Sequence, residues 1–254
     1  MIAGGRRSEP QRSSGGDAES GGAPLLIEIM GPAAAGKSTL LRALCAKDAR
    51  IRAGLDLRKV EYVLPSLRRL GVFLPLWFMH HPRDRWLDRR EMRSIARLET
   101  WSKALDTAPM ASGAVAVFDH GPLYRLARLR EFGPALTRSQ AFERWWRNSL
   151  TRWSSALDII VMLEAPDAVL LQRVDERGHW FLSGDLPAGD KHEFLDRYRR
   201  AFDTIMNEVD ASPGATPIVL RLASGEMPVD AIAAEVLLAI ASLRSTGDPR
   251  ERTS

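Results

Sequence analysis

Apolar residues alternate between two kinds of pattern along the chain. Short continuous runs read as buried strands at Leu25-Leu26-Ile27-Glu28-Ile29-Met30, Ala114-Val-Ala-Val-Phe118-Asp119, Leu157-Asp-Ile-Ile-Val-Met-Leu163 and Thr216-Pro-Ile-Val-Leu-Arg221. Between them lie segments whose apolar positions recur every three or four residues. Leu40, Leu41 and Leu44 share one side of a helix over 39–47. Leu87, Ile95, Leu98 and Trp101 recur at near-helical spacing. A helix begins near Leu123, and Trp145, Trp146 and Trp153 fall on a further one as packing or pocket-wall residues. From Asp167 a helix carries Val169, Leu170 and Val174 inward and stops at Gly178. Residues 191–209 place Phe194, Leu195, Tyr198, Phe202, Ile205 and Met206 on one face, and 229–243 form a closing helix. Strands alternating with helices predict an α/β domain over residues 24–243.

The first strand runs directly into Gly31-Pro-Ala-Ala-Ala-Gly36-Lys37-Ser38-Thr39, a complete match to G-x-x-x-x-G-K-[ST], and a helix follows. Gly31 and Gly36 permit backbone angles that let successive N–H groups of Ala33, Ala34, Ala35 and Gly36 turn inward on phosphate oxygens. The helix N-terminus around Thr39 adds partial positive charge. Lys37 reaches the β- and γ-phosphates, and Ser38 offers its hydroxyl to Mg²⁺. The expected ligand is ATP with Mg²⁺.

The second strand ends in Asp119, and ligands of open α/β sheets bind beyond the carboxyl ends of strands. This carboxylate can bind Mg²⁺ through water, take a proton from an attacking hydroxyl, or cap the following helix. His120 either contacts substrate or satisfies the turn. Arg173 and Arg177, four apart on one helix face, lead into a polar, glycine-containing stretch over 179–190. That arrangement suits a lid whose positive charge meets the transferred phosphoryl group, although both also fit an exposed face paired with nearby acids.

Together these segments resemble the thymidylate kinase and deoxynucleoside kinase branch of the P-loop kinases. The likeness rests on the loop at 31–39, the strand ending in Asp119, Leu163-Glu-Ala-Pro166 followed by Arg173-x-x-x-Arg177-Gly178, and Phe194-Leu-Asp-Arg-Tyr-Arg-Arg-Ala-Phe202. It implies a P-loop NTPase fold with about five parallel strands, helices on both faces and an arginine-bearing lid. It also implies transfer of the ATP γ-phosphoryl group to a nucleoside, nucleotide or similar small acceptor. The chain departs in two places. Members often carry Asp-Arg or Glu-Arg where this sequence has Asp119-His120, and that arginine commonly grips an acceptor phosphate. Residues 50–110 match neither branch.

Composition narrows the classes. The 254 residues carry 36 Lys and Arg against 32 Asp and Glu, a net charge of +4, with 45% hydrophobic and 27% charged residues. That mix excludes a wholly disordered, collagen-like or polytopic membrane protein. A single cysteine, Cys45, excludes an intramolecular disulfide framework and a multi-cysteine zinc site. The charge is uneven: residues 50–103 hold 13 basic and six acidic residues, whereas 155–243 hold seven basic and 15 acidic. The basic segment therefore points to a local anionic partner, and no nucleic-acid motif occurs. Residues 50–110 are expected to form a helical cap over an anionic small-molecule acceptor, a core-packed helical hairpin, or a peripheral membrane contact anchored by Phe73, Trp77 and Phe78. The apolar run 70–79 is too short to span a bilayer. Residues 1–23 and 244–254 read as disordered tails without a secretory signal, so a cytoplasmic protein is expected. Oligomeric state is open, a homodimer included. The rival function is a nucleotide-binding regulator or accessory ATPase that docks on a membrane or protein partner through 50–110.

Overall fold

Strand β1 (Leu25–Met30) is buried along its whole length, which is why its sequence is a continuous run rather than an alternation. In the computed structural model it lies at the centre of a five-stranded sheet of order β2-β3-β1-β4-β5. The model describes residues 22–55, 71–75, 77–78, 83–107, 110–177, 191–214 and 216–245. The other strands are β2 (Ile51–Ala53), β3 (Val115–Asp119), β4 (Ile159–Glu164) and β5 (Ile218–Ala223). All pairings are parallel, with Ile29 opposite Asp119 and Met30 opposite Met162.

The helices among the described residues include α1 (Lys37–Lys47), α2 (Arg89–Thr107), α3 (Pro122–Phe132), α4 (Gln140–Ala156), α5 (Asp167–Arg177), α6 (Lys191–Asp210) and α7 (Val229–Ser245). Right-handed crossovers require the β1–β2 connection to run over one face, and every later strand-to-strand connection to run over the other. The packing agrees: α1 lies against α7, while α3 contacts α2, α4 and α6. Chain leaving β1 and chain leaving its neighbour β3 thus diverge to opposite faces. That divergence opens a crevice at the carboxyl ends of those two strands.

The expected strands and helices are present with boundaries shifted by a few residues. The three-residue β2 has no counterpart in the sequence reading, being too short to show a period. Trp101, Trp146 and Trp153 are packing residues. Trp146 and Trp153 are fully buried, and Trp146 Nε1 donates to the Leu126 carbonyl at 2.9 Å. Trp101 packs on Phe118 and Trp153, with ring centroids 4.9 and 6.4 Å away.

Part of the 50–110 segment is now placed. On α2, Ile95, Leu98 and Trp101 face the core, while Arg93 and Arg97 are exposed. Phe73, considered above as a membrane anchor, is buried against Phe142 and Trp145. Trp77 packs edge-on against Trp86 and donates Nε1–H to the Asp84 carbonyl. Of those three residues Phe78 alone is largely exposed, at 71%. No helix among the described residues is long and apolar enough to cross a membrane. The tails, residues 56–70 and the stretch 178–190 expected to form the lid lie outside the described residues, apart from a few residues at the inner ends of the tails.

Candidate active site

The loop after β1 adopts left-handed backbone at Gly36 (φ 93°), as the glycine pattern requires, and Gly31 also takes a positive φ of 142°. A Cβ on Gly31 would meet the Leu163 carbonyl oxygen at 2.6 Å, so the close approach of β4 also demands glycine there. Ala34 adopts φ 63° as well, a left-handed alanine that the motif pattern does not announce. The backbone N–H groups of Ala34 and Gly36 donate to no described residue. Lys37 opens α1 and is buried, its Nζ donating to the carbonyls of Gly31 (2.9 Å) and Pro32 (2.7 Å). The same ammonium stands 5.8 Å from the centre of the Tyr124 ring.

Across the crevice, the Ser38 hydroxyl donates to Asp119 Oδ2. Asp119 Oδ1 is buried and accepts no hydrogen bond from a described group. His120 Nδ1 lies 3.1 Å from it without hydrogen-bond geometry, and the imidazole packs edge-on against Tyr124. Burial, followed by the positive field of Lys37, holds the His120 pKa below the ordinary histidine value and favours the neutral ring. His120 itself takes φ 61°, so the β3–α3 turn stores backbone strain at the residue beside Asp119.

That turn is held from below by a residue the sequence reading treated only as part of a buried strand. Glu28, at the middle of β1, accepts hydrogen bonds from the backbone N–H groups of Leu123 (2.9 Å) and Tyr124 (2.8 Å). Gly121 supplies α3 with no side-chain cap, so the Glu28 carboxylate takes that place from another strand. The fit is tight: a Cβ on Gly121 would sit 2.6 Å from Glu28 Cδ. A carboxylate inside an apolar strand was the available signal.

Burial pushes the Glu28 carboxyl from 4.5 up to about 7, against the two backbone hydrogen bonds that favour the anion. Below pH 4.5 the group is protonated whether the chain is folded or unfolded. Between 4.5 and 7 the unfolded chain releases the proton and the folded one keeps it, so stability falls as pH rises through that window. The gap of about 2.5 pH units corresponds to about 3 kcal/mol. Urea unfolding at pH 5 and pH 8 is therefore expected to show wild type losing up to about 3 kcal/mol relative to Glu28→Gln. An unchanging difference between the two proteins contradicts this account of Glu28.

Arg173 on α5 bridges the loop to the far side of the sheet. Its Nη2 donates to the Ser224 carbonyl at 2.9 Å, and Nη1 lies 3.5 Å from the Ala34 carbonyl. A cavity of about 310 Å³ opens there, lined by Ala34, Gly36, Thr39, Arg173, Ser224 and Pro228. Arg177 is the last residue of α5, and its side chain lies outside the described residues. The structure thus brings Asp119 onto Ser38 across the crevice, while Arg173 reaches the loop at Ala34, beside the cavity that Ala34, Ala35, Gly36 and Thr39 line.

The donor set suits a nucleoside triphosphate with Mg²⁺. Inward-free N–H groups and a lysine match phosphate oxygens. A hydroxyl bonded to a carboxylate is an all-oxygen pair of the kind a hard cation prefers. Among the described residues no group of three or more His, Cys, Asp or Glu could hold a metal.

No family model and no curated protein matches the chain. Solved structures do. Thymidylate kinase from Candida albicans aligns at 13% identity over 87% of this chain and 92% of that one, with a TM-score of 0.50. Deoxyadenosine kinase from M. mycoides, solved with dCMP and a flexible dCDP, aligns at 14% identity over 86% of this chain and all of that one, with a TM-score of 0.49. At such identities the likeness is one of architecture. With its five-stranded parallel sheet of order β2-β3-β1-β4-β5, this chain has a fold similar to that of this thymidylate kinase.

Proposed function

We propose that the protein is an ATP-dependent phosphotransferase that moves the γ-phosphoryl group of Mg-ATP to the hydroxyl of a small acceptor. The observation that carries this reading is the Ser38–Asp119 hydrogen bond, which brings the end of β3 onto the phosphate-binding loop beside Lys37. A bare phosphate-binding loop serves hydrolysis and transfer alike; a strand-end carboxylate at the same crevice supplies a proton acceptor.

In this reading the loop N–H groups from Ala33 to Thr39 and the Lys37 ammonium hold the phosphates. Lys37 exchanges its two loop carbonyls for phosphate oxygens. Ser38 and Asp119 would hold Mg²⁺, which would neutralise phosphate charge. Asp119 Oδ1, which accepts from no described group, takes the proton of the acceptor hydroxyl as the hydroxyl oxygen bonds to the γ-phosphorus. The bond to the β-phosphate oxygen breaks and ADP leaves. Arg173, which reaches the loop at the Ala34 carbonyl, and Arg177 supply positive charge to the γ-phosphate.

The test is ADP release from Mg-ATP in the presence of nucleosides, nucleotides, sugars and sugar phosphates. At least one acceptor is expected to raise release well above the acceptor-free rate. Slow release that no acceptor accelerates, together with binding to lipid vesicles, supports the regulator or accessory ATPase instead.

A further inference from the structure

A short segment before α2 leaves an apolar face uncovered. Residues 71–75 and 77–78 are helical. Phe73 and Trp77, four apart on one side, hold the segment to the protein, Phe73 against Phe142 and Trp145, Trp77 against Trp86. Gly71, Val72, Leu74, Pro75 and Phe78 are exposed. None of these five carries a polar side chain. A surface helix ordinarily turns charged and polar residues to solvent, and one that is apolar all round is ordinarily covered all round. Among the described residues five large apolar side chains are exposed, and three of them, Val72, Leu74 and Phe78, fall in this one segment. The other two, Ile218 and Leu238, lie on different elements, β5 and α7. Scattered single residues of that kind are common on protein surfaces, whereas a cluster is not.

The chain that follows is basic, and its acids are already occupied. Asp84 accepts from the Ala135 backbone N–H. Asp88 Oδ1 caps α2, accepting from the N–H groups of Arg90 and Glu91 at 2.7 and 2.8 Å. Glu91 receives Arg85 and the Asp88 N–H. Arg83 and Arg89 are exposed and pair with no described carboxylate. Trp77 Nε1 donates to the Asp84 carbonyl at 3.1 Å, which fastens the start of this basic stretch to the end of the apolar face.

We infer that the face made by Val72, Leu74 and Phe78 docks on an anionic lipid surface, its side chains entering the boundary between headgroups and hydrocarbon while Arg83 and Arg89 meet lipid phosphates. Shallow apolar insertion beside unneutralised basic residues supplies the two signals that peripheral membrane binding needs. A folded protein partner suits the face less well. A specific protein interface carries about one hydrogen bond per 100–200 Å², and the outward side chains of this segment offer none. A bilayer asks for none. Phe73 and Trp77 already fix the segment, so docking orders little additional chain. The face shares no residue with the crevice at Lys37 and Asp119, and the inference does not rest on the phosphotransfer reading.

Flotation of the full-length protein with lipid vesicles tests it. Vesicles of phosphatidylcholine alone are compared with vesicles of phosphatidylcholine and phosphatidylglycerol in equal parts. Wild type is expected to bind the anionic vesicles at least about tenfold more tightly than the neutral ones, and added salt is expected to weaken that binding. Leu74→Ser with Phe78→Ser is expected to weaken it at least about tenfold. Arg83→Gln and Arg89→Gln are expected to weaken it about fivefold each. All four side chains are exposed, so melting temperatures are expected to stay near wild type. If the serine pair does not fold, Phe78→Ser alone serves, with a loss of at least about threefold expected. Absence of vesicle binding by wild type, equal binding to neutral and anionic vesicles, or wild-type binding by the serine variant overturns the inference. A wild type that ignores vesicles but self-associates in sedimentation velocity, in a way the serine pair abolishes, gives the face to a second copy and overturns it too. Phosphoryl transfer is read separately. Transfer without vesicle binding removes only the docking face, and vesicle binding without transfer to any acceptor removes only the kinase reading.

Discussion

Replacing Lys37 by alanine is expected to reduce phosphoryl transfer by at least about 10³-fold, the lower end of what a cation aimed at the transferred phosphoryl group contributes. The ammonium is buried at the start of α1 and held by two carbonyls of its own loop, so it sits within reach of any phosphate the loop binds. Stability is expected to change little. Removal leaves two carbonyls without their charged donor, but it also removes a cation from a buried place, and the two effects oppose. The measurement is the rate of acceptor-dependent ADP release, with far-UV circular dichroism and a melting curve as the folding control. A folded Lys37→Ala protein with wild-type turnover removes the loop from the chemistry.

Asp119→Asn is expected to have the second largest effect, a fall of about 10²–10⁴-fold in transfer, the range general-base groups supply. Asparagine keeps the shape and one oxygen able to accept from Ser38, so the β3–α3 turn survives. It loses the negative charge on both the Ser38 side and the buried Oδ1 side. Two readouts separate the roles. If the Ser38 side dominates, the Mg²⁺ concentration for half-maximal rate rises. If Oδ1 is the proton acceptor, kcat falls at saturating Mg²⁺ as well. A variant that keeps wild-type kcat and wild-type Mg²⁺ dependence reduces Asp119 to a helix cap.

The sequence made the loop, its flanking strand and helix, and Asp119 legible for one shared reason: each is local. The glycine spacing at 31 and 36 is a backbone requirement written in consecutive residues, and a strand closing on a carboxylate is visible in six letters. What escaped depends on partners far along the chain. Glu28 caps a helix about 95 residues away, and its neighbours gave no sign of that. The left-handed angle at Ala34 was equally silent, because alanine does not favour it. In the 50–110 segment the helical period of α2 was readable, since burial repeats every three to four residues. Only tertiary packing could show that Phe73 turns inward while Phe78 does not.

The central claim is transfer rather than hydrolysis. It is tested most directly by following ATP labelled at the γ-phosphate in the presence of Mg²⁺ and each member of the acceptor panel. The label is expected to appear covalently on an acceptor at a rate that Lys37→Ala and Asp119→Asn both suppress. Label recovered solely as inorganic phosphate with every acceptor, at the same rate with and without them, contradicts the account.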